Sequence, residues 1–220
     1  MSEAIFLSAG VPDPKRGPEY ALTADSVAIT AAVSALVHVT LGRRLLIWGG
    51  HPAITPMVWA VAQGLGLDYG NWVKLYQTRH FEDEFPEDNQ KFQNVTYTED
   101  VERDREKSLF AMRERMFKEH TFGVAVFIGG MGGIIDEFKL FRRLQPKAKI
   151  LPVVSTGGAV LKLSERVPTL GRDLTDDLDY IALFHRNLGV SIKEERYKRP
   201  EDQPPNIDQR LWQPPAKTHS

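Results

Sequence analysis

Four stretches of glycine and small polar residues could let the backbone of this chain come close to a phosphate group. They are Ser8-Ala9-Gly10, Gly49-Gly50-His51, Gly129-Gly130-Met131-Gly132-Gly133 and Ser155-Thr156-Gly157-Gly158. Glycine lacks the side chain that would keep a ligand away, and the free N–H groups that begin a following helix attract anions. A single glycine turn is a weak signal, since tight turns need glycine for other reasons. Four of them together favour a binding site for a phosphorylated ligand.

The elements that must position these turns are short apolar strands. Each turn follows an apolar run, at residues 4–8, 44–48, 123–128 and 149–154, and two further runs lie at 73–76 and 94–97. Helical patterns separate them, at about 25–41, 55–65, 100–118, 134–144 and 176–187. Such alternation predicts an α/β fold, a Rossmann-like three-layer domain with a mostly parallel central sheet and helices on both faces. In that fold the turns meet at the carboxyl edge of the sheet, where ligands bind.

Composition narrows the class of protein. The chain has 220 residues, a formal net charge of −1, 42% hydrophobic residues and no cysteine. The charge balance argues against nucleic acid and acidic membranes as partners, and the lack of cysteine excludes disulfides and thiolate metal sites. No long apolar segment or leader pattern is visible, so we expect a cytoplasmic protein.

Two segments are expected, residues 1–192 as the ligand-binding domain and residues 193–220 as a tail. The tail is charged and rich in proline, which predicts a disordered or partner-docking segment, and Trp212 could dock it on a partner.

Residues 79–93 contain five carboxylates. They could hold a divalent cation, but a solvated acidic loop is favoured because the ligands lack a regular spacing. We therefore expect no metal site and no cofactor.

The glycine turns do not match two common phosphate-binding motifs. No Gly-Lys-Ser/Thr follows them, which argues against a P-loop, and the turn after the first strand is not Gly-x-Gly-x-x-Gly.

A different motif fits better. Arg113-Glu114-Arg115-Met116, with Ile128-Gly129-Gly130-Met131-Gly132-Gly133-Ile134-Ile135-Asp136-Glu137, resembles the LOG (cytokinin-activating phosphoribohydrolase) family and the wider SLOG superfamily. There an arginine-bearing helix and an apolar strand precede Pro-Gly-Gly-x-Gly-Thr-x-x-Glu.

The resemblance extends loosely over residues 4–160, since Arg113 lies 16 residues before Gly129 as in the family and Gly49-Gly50 resembles the family's strand-Gly-Gly element. It implies a Rossmann-like fold, nucleotide binding at the turns, and often dimerisation. In LOG enzymes the arginine and the motif glutamate serve cleavage of the N-glycosidic bond of a nucleoside monophosphate. Other SLOG domains sense nucleotide-derived signals, frequently in bacterial antiviral defence.

Two departures from the motif concern its hydroxyl and its acid. The motif threonine is missing, because its position is Gly133 without a gap or Ile134 with one insertion, and the acid is accordingly Asp136 or Glu137. At 100° per residue Glu137 lies within the apolar arc of the following helix, whereas Asp136 lies opposite. A carboxylate on the sheet-facing side has little structural reason to be there, so we prefer Glu137. An acid that merely stabilises the helix dipole is the alternative.

The remaining candidates each have an ordinary structural explanation too. Arg113 could reach a phosphate through two donors or be solvated, and His51 could point at the crevice or be exposed. Ser8 could contact phosphate or ribose, or be a satisfied hydroxyl at the strand end. Surface roles are favoured over phosphate contacts for three loop cations, Lys15, Arg16 and Arg79. The predicted ligand contacts are Ser8, Ala9, Gly10, Gly49, Gly50, His51, Gly129, Gly130, Met131, Gly132, Gly133 and Thr156.

Three functions remain open. The first is a binding module that senses a nucleotide or ADP-ribose-type ligand and signals through a homodimer or higher oligomer, with a separately encoded effector protein as partner. The second is a LOG-like nucleotide N-glycosidase, a nucleoside 5′-monophosphate phosphoribohydrolase, in which Glu137 (or Asp136) and Arg113 would be catalytic. A subunit that keeps the fold for structural reasons alone is a third possibility. The missing threonine weakens the enzyme hypothesis, so we place binding first.

Overall fold

The computed structural model describes residues 3–66, 69–85, 87–167 and 170–214, and a single six-stranded sheet forms its centre. The strands are β1 (Ala4–Gly10), β2 (Leu46–Trp48), β3 (Val73–Thr78), β4 (Val95–Thr98), β5 (Phe122–Gly129) and β6 (Lys149–Val153). Their order is β4-β3-β2-β1-β5-β6, and every pair is parallel. Parallel neighbours need crossover connections, and the intervening helices supply them.

Helices cover both faces of this sheet. They are α1 (Pro18–Ala21), α2 (Ser26–Thr40), α3 (Thr55–Leu65), α4 (Arg105–Glu119), α5 (Gly132–Leu144), α6 (Val160–Ser164), α7 (Arg172–Asp176) and α8 (Tyr180–Leu188). Alternate strand residues point to opposite faces, so Leu7 and Trp48 pack with α2, α3 and α8, while Phe6 and Ile47 pack with α4 and α5. The predicted three-layer α/β fold is confirmed.

Helix boundaries follow from local capping rather than from the apolar pattern alone. Asp25 begins α2, because its carboxylate accepts the N–H groups of Val27 and Ala28 at 2.8 and 2.9 Å. The helix predicted from about residue 100 begins later, because Asp104 caps α4 and accepts the N–H of Lys107 at 2.9 Å. The last helix, predicted at residues 176–187, is α8, but it begins four residues later, at Tyr180, after α7 has ended at Asp176.

The order of connections reverses between β1 and β5. From β1 the chain runs outward to β2, β3 and β4 on one side, and then returns to β5 and β6 on the other. The register aligns Gly10 with Gly129, and the N–H of Gly130 donates to the Gly10 carbonyl at 2.7 Å. The two glycine turns therefore diverge from one point. Ligands of open α/β sheets bind at such a reversal.

Residues 193–214 differ from the disordered tail that their composition predicts. Glu194 is 2% exposed and accepts two hydrogen bonds from Arg44, at 2.6 and 3.1 Å. The indole N–H of Trp72 donates to the carbonyl of Tyr197 at 2.8 Å, and the side chain of Trp212 is half exposed. The physical reason is that the partners of this segment lie some 150 residues earlier in the chain, where composition cannot reveal them. Residues 215–220 of the predicted tail lie outside the described residues.

Within the part of the chain that the structure describes, no helix has both the length and the apolar character that crossing a membrane requires.

Candidate functional site

A cleft of about 230 Å³ lies over the carboxyl ends of β1, β2, β3 and β5. Its floor is made by the turns after β1, β2 and β5, and its walls by α4, α5 and the segment that follows β3. Eleven of the candidate site residues line it: Ser8, Ala9, Gly10, Gly49, Gly50, His51, Arg113, Gly130, Met131, Gly133 and Glu137. Residues more than a hundred positions apart in the sequence are thus brought to one place.

Thr156 occupies a different position, behind the glycine turn. It is fully buried, and its hydroxyl donates to the Val153 carbonyl at 2.6 Å while accepting the Gly129 N–H at 2.9 Å. The structure places Gly129, Gly132 and Thr156 outside the lining of the cleft. Thr156 therefore braces the turn that carries Gly130.

Glu137 is the centre of a hydrogen-bond network at the bottom of the cleft. The hydroxyl of Ser8 donates to its Oε2 at 2.5 Å, and Arg113 Nε donates to its Oε1 at 3.1 Å. The side chains of Arg113 and Glu137 are only 10% and 15% exposed, so each charge depends on the other for compensation. Three elements, β1, α4 and α5, meet in this network.

Gly133 makes room for the Arg113 guanidinium. Arg113 Nη2 donates to the Gly133 carbonyl at 3.4 Å, and a Cβ atom built on Gly133 would lie 3.2 Å from the same nitrogen. The other candidate for the motif threonine position, Ile134, is buried in the core. The loss of the threonine thus coincides with a close approach of the arginine.

Asp136 points away from the cleft. Its side chain is 55% exposed and lies 3.7 Å from Lys139 on the outer side of α5. The 100° rotation between neighbouring helix positions separates it from Glu137. The structure therefore places Glu137, and not Asp136, at the site.

His51 stands at the edge of the same network with one ring nitrogen engaged. Its Nδ1 accepts the N–H of Ala53 at 3.2 Å, and its carbonyl accepts the N–H of Ile54 at 2.9 Å. Burial lowers the pKa of the imidazole, Glu137 opposes this shift, and Arg16 adds to it. The ring is therefore neutral at pH 7, with its proton on Nε2.

Gln77 in β3 lines the cleft, and the sequence interpretation missed it. Its amide donates to the Gly50 carbonyl at 3.1 Å, and Gly50 has a φ of +67°, in the left-handed region that favours glycine. A Cβ atom on Gly50 would lie 2.1 Å from Gln77 Nε2. A buried glutamine at the end of an apolar strand is the signal that could have revealed it.

The acidic segment after β3 contributes aromatic residues to the cleft. Phe81, Glu84 and Phe85 line the cleft, and the Arg105 guanidinium lies 6.0 Å from the centre of the Phe81 ring. Among the described residues no group of three His, Asp or Glu side chains is arranged to hold a metal ion. Of the three loop cations, Arg16 lines the cleft, whereas Arg79 pairs with Glu82 at 2.7 Å and Lys15 lies outside the lining.

The comparison with known families agrees with this geometry. Residues 19–188 match the sequence model of the SLOG cluster3 family. The chain belongs to this family. No curated protein matches the sequence. SLOG membership indicates a nucleotide-related function, and the matched range includes α4, the turn after β5, and α5.

Proposed function

We propose that this SLOG cluster3 protein binds a nucleotide or a nucleotide-derived ligand of the ADP-ribose type and acts as a sensor or signalling module. The observation that carries the proposal is the network of Ser8, Arg113 and Glu137. It lies in a cleft at the reversal of strand order, between two glycine turns. Hydroxyl, guanidinium and carboxylate groups together match the phosphate oxygens and ribose hydroxyls of a nucleotide.

One end of the cleft suits the phosphate. Gly130 has a φ of +71°, and Gly133 lies in the first turn of the 13-residue helix α5, whose N-terminal end carries partial positive charge. Arg16 lines the same region. These features supply the positive end of a helix and a cation without a P-loop.

The other end suits a base. Phe81, Phe85, Leu109 and Met112 line it, and aromatic rings stack on bases. The volume of about 230 Å³ is below the ~300–1,000 Å³ of typical drug-sized sites. The cleft therefore suits one nucleotide moiety, and the remainder of a larger ligand would extend outward.

Binding is placed ahead of catalysis because both oxygens of Glu137 are engaged within the protein. Ser8 donates to one oxygen and Arg113 to the other, which fixes the carboxylate and uses part of its hydrogen-bonding capacity within the protein. A LOG-like phosphoribohydrolase is the second candidate, because the Arg113–Glu137 pair lies inside the cleft. In that reaction water adds to C1′ as the N-glycosidic bond breaks. The base leaves with the bonding electrons and a proton, and Glu137 stabilises the cationic sugar.

The first experiment is calorimetric titration with nucleoside monophosphates, ADP-ribose and cyclic nucleotides. We expect at least one to bind, and Arg113→Ala to weaken its binding by about 10- to 100-fold, because a charge-assisted hydrogen bond is lost. Arg115→Ala is the matched control, since Arg115 lies on the same helix but pairs with Glu119 at the surface. Absence of binding by every compound, or equal losses in the two variants, would contradict the proposal.

A second experiment separates sensing from catalysis. The protein is incubated with nucleoside monophosphates, and released base is measured by chromatography. We expect the nucleotides to remain intact. Release of free base that Glu137→Gln abolishes and Asp136→Asn preserves would establish the enzyme instead.

A homodimer or higher oligomer also remains part of the proposal, together with a separate effector. The surface between α4 and α5 supports it, because Phe110 is 46% exposed beside Leu140 and charges of both signs surround them. Self-association through one patch requires such self-complementarity. Light scattering should give at least twice the chain mass of 24.9 kDa, whereas a mass of one chain at all concentrations would rule it out.

A further inference from the structure

We propose that Gln77 selects the base of the ligand, because its side-chain amide is held so that Oε1 accepts a hydrogen bond from an exocyclic amine. The cleft therefore prefers an amino base, adenine or cytosine, over the keto base that carries a carbonyl in the same place, hypoxanthine or uracil. The inference deepens the proposed function, and it rests on that function for the presence of a nucleotide in the cleft.

The backbone of Gln77 is fixed at the carboxyl end of an inner strand. β3 lies between β2 and β4, and the hydroxyl of Thr98 in β4 donates to the Gln77 carbonyl at 3.4 Å. Two strands, β2 and β1, separate β3 from β5 and the turn that carries Gly130. Phe81 and Phe85 follow Gln77 in the chain and line the same cleft. Gln77 therefore lies on the side of the cleft that suits the base, and not on the side that suits the phosphate.

One hydrogen bond fixes which way the amide faces. Gln77 Nε2 donates to the Gly50 carbonyl at 3.1 Å. A carbonyl oxygen only accepts, so the nitrogen of the amide, and not its oxygen, must face Gly50. Turning the amide over would bring two oxygens together and lose this bond. Gly50 permits the close contact, since a Cβ atom built there would lie 2.1 Å from Nε2.

The amide oxygen is left available to a ligand. Gln77 lines the cleft with only 4% of its surface exposed, and no group of the described residues donates to its Oε1. Oε1 is nevertheless not sealed inside the protein. In the described part of the chain, the side-chain polar atoms that are both sealed and unpaired belong to Trp48 and Asn89. The exposed part of Gln77 thus includes Oε1, which is open to the cleft.

The fixed amide distinguishes an amine from a carbonyl. An exocyclic amine donates to Oε1, whereas a carbonyl in its place would bring two acceptors into contact. A glutamine in solvent could turn its amide over and donate instead, but Gln77 would lose its bond to Gly50. An acceptor that is left without a donor in an enclosed site weakens binding by about 10- to 100-fold.

The test is calorimetric titration of the wild type with matched pairs of ligands: AMP with IMP, CMP with UMP, and ADP-ribose with its hypoxanthine analogue. Each pair replaces an exocyclic amine by a carbonyl. In every pair that binds, we expect the amino member to bind about 10- to 100-fold more tightly. The wild type alone gives this result, so the test does not depend on the folding of a variant.

Two variants assign the preference to Gln77. Gln77→Met keeps the length of the side chain but removes the amide oxygen, and it should abolish most of the difference within each pair. Gln145→Met is the matched control and should keep the difference. Gln145 also donates to backbone carbonyls, those of Phe117 and His120, but it lies outside the lining of the cleft.

Three results would overturn the inference. The first is equal affinity within every pair that binds, and the second is a preference that Gln77→Met preserves. The third is weaker binding of 2′-deoxy-AMP with no loss for IMP, since Oε1 would then accept from the ribose. Each of these leaves the proposed function intact. If none of the ligands binds, the proposed function fails together with the inference.

Discussion

At the residue scale, the cleft depends on a few side chains whose charges and hydroxyl groups satisfy one another. The Glu137 carboxylate accepts hydrogen bonds from Ser8 in β1 and from Arg113 in α4. Gly133 has no side chain, which leaves space for the Arg113 guanidinium. Each of these side chains would be costly to bury alone. Together they form a preorganised polar surface inside an otherwise apolar layer.

Two glycines of similar appearance should respond oppositely to alanine. Gly157 has φ +68° and ψ −157°, and a Cβ atom there would lie 1.8 Å from the Thr23 carbonyl oxygen. We expect Gly157→Ala to lower the free energy of unfolding by about 3 kcal/mol, through backbone strain and overpacking. Gly64 lies within α3 with open space around it, so Gly64→Ala should raise it by about 0.5–1 kcal/mol. Urea denaturation measures both, and equal signs would contradict the backbone geometry.

At the scale of elements, the site depends on helices that begin at defined residues. Helix α2 lies under the β5 turn, where the side chain of Ile29 reaches within 2.5 Å of the Cβ position built on Gly129. A displacement of α2 would therefore disturb the glycine turn. Helix α4 carries Arg113 and helix α5 carries Glu137, so their mutual position fixes the ion pair.

The cap of α2 gives a direct test at this scale. Asp25→Ala should lower the free energy of unfolding by about 1 kcal/mol, because the N–H groups of Val27 and Ala28 lose their acceptor. Asp25→Asn keeps an acceptor oxygen and should stay close to the wild type. Thermal denaturation of the wild type and the two variants measures these differences in stability. A loss of the same size in Asp25→Asn would show that charge, and not capping, matters.

At the scale of the whole molecule, residues 193–214 are held on the domain by buried charges. Glu194 lies 2.6 Å from Arg44 and 3.7 Å from Arg210, while Arg43 donates to its backbone carbonyl at 2.7 Å. Burial and the nearby Arg43 lower the pKa of Arg196 to about 10. The Glu194 carboxylate thus lies near two guanidinium groups, while carbonyl groups at the C-terminal end of α2 accept hydrogen bonds from Arg43 and Arg196.

Removing that carboxylate should destabilise the protein strongly. Glu194→Gln leaves buried guanidinium groups without a counter-charge, and we expect a loss of about 3–5 kcal/mol in the free energy of unfolding. Glu195→Gln is the matched control, since Glu195 is exposed, and its effect should stay within about 0.5 kcal/mol. Urea denaturation measures both variants. Equal effects would mean that the segment is held by its backbone contacts and not by Glu194.

The sequence alone was sufficient for the features that depend on local periodicity. Alternating strands and helices predicted the parallel three-layer fold, and the glycine turns predicted the edge of the sheet at which the cleft lies. The rotation of 100° per residue separated Glu137 from Asp136, because it is a property of every α-helix. These patterns need no knowledge of distant residues.

The tertiary structure decided which of these residues meet. It placed Gln77 and Phe81 in the cleft, and it placed Thr156 behind the glycine turn, where its hydroxyl accepts the Gly129 N–H. It also paired Glu194 with Arg44, which lies 150 positions earlier in the chain. Burial, long-range ion pairs and space beside a glycine arise only when separate elements pack together. That is why the sequence could predict the turns around Gly130, but not the hydrogen bonds among Ser8, Arg113 and Glu137 that define the site.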